Sequence, residues 1–223
     1  MISPALRRAY FITMRLPMLA NARIYKALRC PASGLKVQLG SGQVHYIKDW
    51  LNVDANLFTA KLDLWANILD GLPFKDGSVD VIYSHHVIEH LPDSYLPKLF
   101  AEMYRALRPG GGVRLAAPHL GNACRKYVEG DTAWFRDFPV KKESVGGRFT
   151  NFIFCAGEHV TAFDESYMKE LAESAGFHCI SFPLTHKETT LADLGVDQSV
   201  LVREWDDDFD IPHTIVVEAR KPE

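Results

Sequence analysis

From Leu35 onward, short apolar runs alternate with longer amphipathic stretches. A chain satisfies that rhythm by laying parallel strands side by side and covering them with helices, so the fold class is α/β. Strands are expected at about 35–39, 50–53, 79–83 and 111–117, with later ones at 177–182 and 214–219. A helix is expected over about 93–107, where Leu96, Leu99, Phe100, Met103 and Leu107 recur at helical spacing and Pro109-Gly110-Gly111-Gly112 stops it. A second is expected over about 164–175, with Asp164 as N-cap, Met168, Leu171, Ala172 and Ala175 as the inner stripe, and Gly176 as terminator. Two stretches break the rhythm: 118–160, rich in aromatic, glycine and charged residues, and 183–212, which holds the acidic run Asp206-Asp207-Asp208. Segments of this length inside one domain are usually functional lids or flexible.

The 223 residues suffice for a single large domain with appendages. Twenty-five basic residues against 28 acidic argue against a nucleic-acid partner. The balance is uneven along the chain. Eight basic residues (Arg7, Arg8, Arg15, Arg23, Lys26, Arg29, Lys36, Lys48) precede the first acid, Asp49, which leaves 25 − 8 = 17 basic against 28 acidic in the rest. Cys30, Cys124, Cys155 and Cys179 lack CxxC spacing and read as thiols of a reducing, cytoplasmic compartment; neither a disulfide framework nor a metal site is expected from them. No run of about 20 apolar residues suggests a membrane span. Arg15 and Pro17 interrupt the apolar start, against a signal peptide.

Chemistry concentrates in three places. Lys36-Val37-Gln38-Leu39-Gly40-Ser41-Gly42 is an apolar strand ending in Gly-x-Gly, where a missing Cβ lets a ligand approach the backbone. Leu51-Asn52-Val53-Asp54 ends a second strand in an acid, which can accept hydrogen bonds from both hydroxyls of a ribose. The third is Leu72-Pro73-Phe74, followed by Ser78-Val79-Asp80-Val81-Ile82-Tyr83-Ser84-His85-His86-Val87-Ile88-Glu89-His90-Leu91 and then by Leu107-Arg108-Pro109-Gly110-Gly111. In these ordered motifs the chain resembles the class I S-adenosylmethionine-dependent methyltransferases of the type 11 group, closely over about 35–118 and more loosely, through Gly157-Glu158-His159 and Glu170–Phe177, to about 182.

The resemblance implies a Rossmann-like, seven-stranded, mostly parallel sheet with an antiparallel last strand and S-adenosylmethionine as cofactor. Leu39, Gly40, Ser41 and Gly42 would flank the methionine part of that cofactor, and Asp54 with Ala55 would hold its ribose. Asn67, with Ile68, falls where the group often has an acid near the adenine amine; an amide oxygen can still accept there. Ser84 and His85 would lie beside the cofactor. Few residues separate Gly42 from Trp50 and Asp54 from Asp63, so the usual helices after the first two strands must be reduced to turns. The division expected is a basic helical cover over 1–34, with its segment at about 4–29 supplying the missing shielding, and a methyltransferase domain over 35–223 whose insertions at 118–160 and 183–212 face the acceptor. The function implied is methyl transfer to an oxygen or nitrogen of a small-molecule or glycan acceptor.

Two other readings stand beside it. One is a cofactor-binding scaffold without activity. The other takes His86-Val87-Ile88-Glu89-His90 as the H-x-x-E-H signature of a zinc hydrolase, which needs a helix placing His86 and His90 on one side. A hydroxyl acceptor calls for a base, and a histidine suits neutral pH. His159 is the first choice, His119 the second and His86 the third; each also reads as a hydrogen-bonded structural histidine. Tyr127, Trp134, Phe135 and Phe138 read as an acceptor wall or as lid core. The basic N-terminal arm reads as packed cover, peripheral membrane contact or anionic acceptor site.

Overall fold

A computed structural model describes residues 4–204 and 210–223, so the acidic run 206–208 lies outside the described residues. Seven strands form one sheet: β1 (Leu35–Leu39), β2 (Leu51–Asp54), β3 (Leu64–Trp65), β4 (Val79–His85), β5 (Leu107–Pro118), β6 (His178–Ser181) and β7 (Thr214–Arg220). Their order is β3-β2-β1-β4-β5-β7-β6. β7 runs antiparallel to both its neighbours, β5 and β6, while the other pairings are parallel. The order reverses between β1 and β4, and an open α/β sheet binds its ligands outside the carboxyl ends of the strands at such a point.

Local chemistry sets the helices. In α2 (Leu96–Ala106; α1 precedes it and is described below), Leu96, Leu99, Phe100, Met103 and Ala106 form one buried stripe. The larger of these side chains each contribute roughly 1.5–3 kcal/mol on burial. α5 (Glu165–Ser174) starts where the Asp164 side chain accepts from the Tyr167 amide and buries Met168, Leu171 and Ala172. Both pack on one sheet face with Val37, Leu39, Ile82, Val113, Leu115 and Val217.

The opposite face is polar at its centre. Gln38, Tyr83, Arg114 and Glu218 stand in register across β1, β4, β5 and β7, all fully or almost fully buried. Arg114 donates to Glu204 Oε1 and Oε2 at 2.6 and 2.7 Å and to Glu218 Oε1 at 2.6 Å. Thr185 and the His186 amide complete Glu204, and Thr189 and Thr190 complete Glu218. Leu191, Leu194, Val196, Val200 and Leu201 lie over this face with Ile47, Trp50, Val81 and Tyr83. Shielding of this face comes from 185–201, including α6 (Gln198–Leu201), while the N-terminal segment packs on the main core at the β3 side. This part of 183–212 thus lies over a sheet face.

The N-terminal segment is α1 (Pro4–Ile24), extended by a wide turn over Tyr25–Arg29. It flanks the β3 edge: Asn21 Nδ2 donates to the Trp65 carbonyl at 2.8 Å, and Ala22 and Tyr25 pack on the main core. The stretch 118–160 is organised around α3 (Leu120–Glu129) and α4 (Val145–Phe154), which share a small core of Ala123, Trp134, Phe135 and Ile153. The glycine run is placed differently from the expectation. β5 begins at Leu107, and its pairing with β4 jumps from Val79↔Leu107 to Val81↔Gly112, so Arg108–Gly111 bulge out of the strand. A Cβ on Gly112 would lie 2.8 Å from Leu191 Cδ2, which is why the cover packs there against bare backbone.

Candidate active site

The turn after β1 is built around two glycines. Gly40 has φ +75°, and a Cβ there would sit 2.2 Å from Val87 Cγ2, so both conformation and space demand glycine. Gly42, at φ +53°, would point a Cβ into open space. Its amide donates to Asp54 Oδ2 at 2.9 Å, while the Asn56 amide donates to Asp54 Oδ1 at 2.7 Å. The loop and the acid at the end of β2 are thus one structure. A carboxylate has about four acceptor sites, so two backbone bonds leave capacity for the hydroxyls of a sugar. Ser41 Oγ and the Lys61 amide bind the loop to the following turn at 2.6 and 2.8 Å.

Tyr10 of α1 holds the far side of that turn, a role the sequence did not disclose. Its hydroxyl donates to the Ala55 carbonyl at 2.7 Å and accepts from the Leu57 amide and Trp65 Nε1, both at 3.1 Å. Asn67 uses its side-chain oxygen to accept from the Leu69 amide at 3.0 Å, capping the turn over Ile68–Asp70. Ser84 is buried and donates to the Leu39 carbonyl at 3.2 Å, tying β4 to the end of β1. His85 is buried between the rings of His45 and His86, with centroids at 5.8 and 4.5 Å. Burial drives its pKa well below 6.5.

Beyond β4 the chain does not enter a helix. His86 adopts φ +53°, and Ile88–His90 make one tight turn, so the shared helix required by the hydrolase reading does not form. The turn instead buries Glu89 completely and surrounds it with imidazoles. His86 Nδ1 donates to Glu89 Oε1 at 3.0 Å, and its Nε2 lies 3.2 Å from Thr214 Oγ1. His159 Nε2 lies 4.0 Å from Glu89 Oε1, and its Nδ1 donates to the Ile153 carbonyl at 3.1 Å. His90 Nδ1 donates to the Glu158 carbonyl at 2.9 Å, and the Val160 amide donates to the Glu89 carbonyl at 2.9 Å. Ligand atoms of Glu89, His90 and His159 fall within 4.8 Å of one another, the one such group among the described residues that has the spacing to hold a metal ion.

Electrostatics follow from this packing. Burial pushes the Glu89 carboxyl up, but the hydrogen bond from His86 and the neighbouring imidazoles outweigh it and leave the group below its ordinary value. Burial lowers His159 below 6.5 against the attraction of Glu89. His119 is occupied as the N-cap of α3, where Nδ1 accepts from the Asn122 amide at 3.4 Å; burial lowers its pKa too, opposed by Asp164. Two of the three sequence-chosen histidines, His86 and His159, therefore converge on one carboxylate. Trp134 and Phe135 are buried as lid core, whereas Tyr127 and Phe138 are exposed. A depression of about 510 Å³, lined in part by Lys142, Thr150, Asn151 and Gly157, lies beside the chain leading into His159.

A seven-stranded sheet of this order, with a glycine turn and a β2 acid at its switch point, is the Rossmann-like fold seen in class I S-adenosylmethionine-dependent methyltransferases. Residues 43–115 match the family model described as a methyltransferase domain. An uncharacterized methyltransferase of Mycobacterium sp. (strain KMS) is 58% identical over 40 residues, which is 18% of this chain and 15% of the relative. Phosphoethanolamine N-methyltransferase 2 of Caenorhabditis elegans is 48% identical over 40 residues, 18% of this chain and 9% of the relative. These matches span a small part of the relatives' length. Among solved structures, a methyltransferase of Archaeoglobus fulgidus aligns with TM-score 0.52 and 14% identity over 95% of this chain and 99% of that one. One from Thermotoga maritima aligns with TM-score 0.50 and 17% identity, covering 97% and 95%. At these identities the likeness is one of fold.

Proposed function

We propose that the chain transfers a methyl group from S-adenosylmethionine to an oxygen or nitrogen of a small-molecule or glycan acceptor. The observation that carries the reading is the Asp54 carboxylate fixed on the Gly42 amide at 2.9 Å, with acceptor capacity left for a ribose at the sheet's switch point. The cofactor supplies an activated methyl on a sulfonium. Gly40–Gly42 and Asp54 hold and orient it, with Leu39, Ala55, Ile68, Ser84 and His85 shaping the surround, and Asn67 offering its amide near the adenine. The Lys142, Thr150 and Asn151 side chains of the neighbouring depression suit a hydroxyl-rich acceptor.

His159 is the proposed base. Its Nδ1 proton is committed to the Ile153 carbonyl, which leaves the Nε2 lone pair to take the acceptor proton. The imidazolium so formed faces Glu89, whose buried negative charge stabilises it. His86 completes that carboxylate, and His119 acts from the cap of α3. Because burial lowers His159, the ring is unprotonated at pH 7, and kcat/KM should rise with pH along a limb lying below 6.5.

Calorimetry with S-adenosylhomocysteine, followed by labelled methyl transfer to a panel of sugars and small hydroxyl and amine acceptors, tests the proposal. His159→Gln should lower kcat by about a hundredfold or more while leaving S-adenosylhomocysteine affinity intact. Cofactor binding without transfer to any acceptor would favour the scaffold reading, and absence of binding would refute both.

A further inference from the structure

Helix α1 has two faces, and the fold uses one of them. The inner face carries Met18, Tyr10, Asn21 and Ala22 against β3 and the core. The outer face presents Ile12, Leu16 and Ile24 at 66, 75 and 51% exposure, and Leu28 in the turn that follows is 80% exposed. Phe58, 76% exposed, lies next to the helix through an edge-on contact with Tyr10 at 5.7 Å. Isolated exposed apolar residues are ordinary, but a row of them along a 21-residue helix is a patch that demands a partner.

The charge beside the row identifies what kind. Arg8, Arg15, Arg23 and Arg29 are exposed along the same segment, and no acid occurs before Asp49. Arg15 reaches Asp70 at 3.1 Å, the acidic side chain facing this helix among the described ion pairs. A second copy of the chain docked on the same face would bring arginines against arginines. An anionic bilayer meets both features: apolar side chains enter the acyl boundary while arginines pair with phosphates at the headgroup level. No helix of the described residues is long and apolar enough to cross a membrane, so the contact is with the surface.

We propose that the outer face of α1 docks this protein on an anionic lipid surface, through Ile12, Leu16, Ile24 and Leu28 with the flanking arginines. The docking is independent of the methyl-transfer reading, since none of these side chains enters the Gly40–Asp54 or Glu89 sites. Its geometry places the Asp54 end of the sheet close to the membrane, because Tyr10 on the inner face of the same helix holds the turn after β2.

Co-sedimentation of the full chain with vesicles of phosphatidylcholine alone, and of phosphatidylcholine mixed with phosphatidylglycerol, tests this. The protein should bind the anionic vesicles at least about tenfold more tightly than the neutral ones, and added salt should weaken the difference. An Ile12→Asn, Leu16→Asn double variant and an Arg8→Glu, Arg23→Glu double variant should each lose about tenfold or more. Both should keep the wild-type melting temperature and S-adenosylhomocysteine affinity, which separates lost docking from lost folding. No vesicle binding, equal binding to both vesicles, or binding unchanged in both variants would overturn the proposal. So would a dimer on size-exclusion chromatography that the Ile12, Leu16 variant converts to monomer.

Discussion

Asp54 combines two duties that are separable by substitution. Its carboxylate staples Gly42 to Asn56, and its remaining acceptor sites are those proposed to hold the sugar of the cofactor. Hydrogen bonds to a charged group are worth about 1.5–3 kcal/mol each. Asp54→Ala should therefore weaken S-adenosylhomocysteine binding by about tenfold to a hundredfold, measured by calorimetry, with Asp54→Asn intermediate because the amide retains one acceptor oxygen. Unchanged affinity in Asp54→Ala would remove the residue from the site. Glycine and acid were legible at this scale because both motifs are local: a strand, then the residue type its end requires. The Glu89 cluster was only half legible. His86, Glu89 and His90 are neighbours in sequence, but what completes the proposed proton-handling group is His159, brought in by the Val160 and Glu158 backbone bonds across about 70 residues of chain. No spacing rule reports such a contact.

Among elements, those with a period longer than a turn were readable. α2 and α5 appear within a few residues of their expected bounds because apolar stripes and the Asp164 cap are properties of the segment itself. β3 has two residues, too few to show alternation, and was expected as part of a seven-strand count without a position. The early start of β5 was hidden because Pro109-Gly110-Gly111-Gly112 looks like a terminator and acts as a bulge inside the strand. α1 was expected as cover, yet its reach into the site depends on one hydroxyl. Tyr10→Phe leaves the Leu57 amide without that acceptor and the Ala55 carbonyl without that donor, while Trp65 Nε1 keeps a second contact to Ala55 at 3.0 Å. The expected cost is about 1–3 kcal/mol, read from urea denaturation, together with weaker S-adenosylhomocysteine binding as the turn after Asp54 loosens. A variant with wild-type stability and affinity would make Tyr10 a bystander.

At the scale of the whole molecule, the polar face of the sheet is the feature least visible in sequence and most exposed to test. Arg114, Glu204 and Glu218 are far apart along the chain and ordinary in type, but together they clamp the 185–204 cover onto β5 and β7. Arg114→Met leaves two carboxylates buried without their cation and should cost about 3–5 kcal/mol of unfolding free energy. Acid should loosen the fold through a different set of groups. Burial lowers His85, His159, His119 and His45 below 6.5, so between that value and the folded pKa the unfolded chain binds more protons than the native one. Stability then falls as pH drops below about 6.5, and His85, with the largest depression, carries the loss furthest into acid. Glu89 adds in the same direction lower down, since a carboxylate held below 4.5 in the fold loses its contribution as pH descends through that range. Urea midpoints between pH 7.5 and 5 should shift downward with the break near 6.5, and His85→Asn should flatten the slope most at its acid end. A midpoint constant across that interval would mean that these imidazoles keep their ordinary pKa values in the folded protein, and the acid limb of kcat/KM would then lie at 6.5 rather than below it.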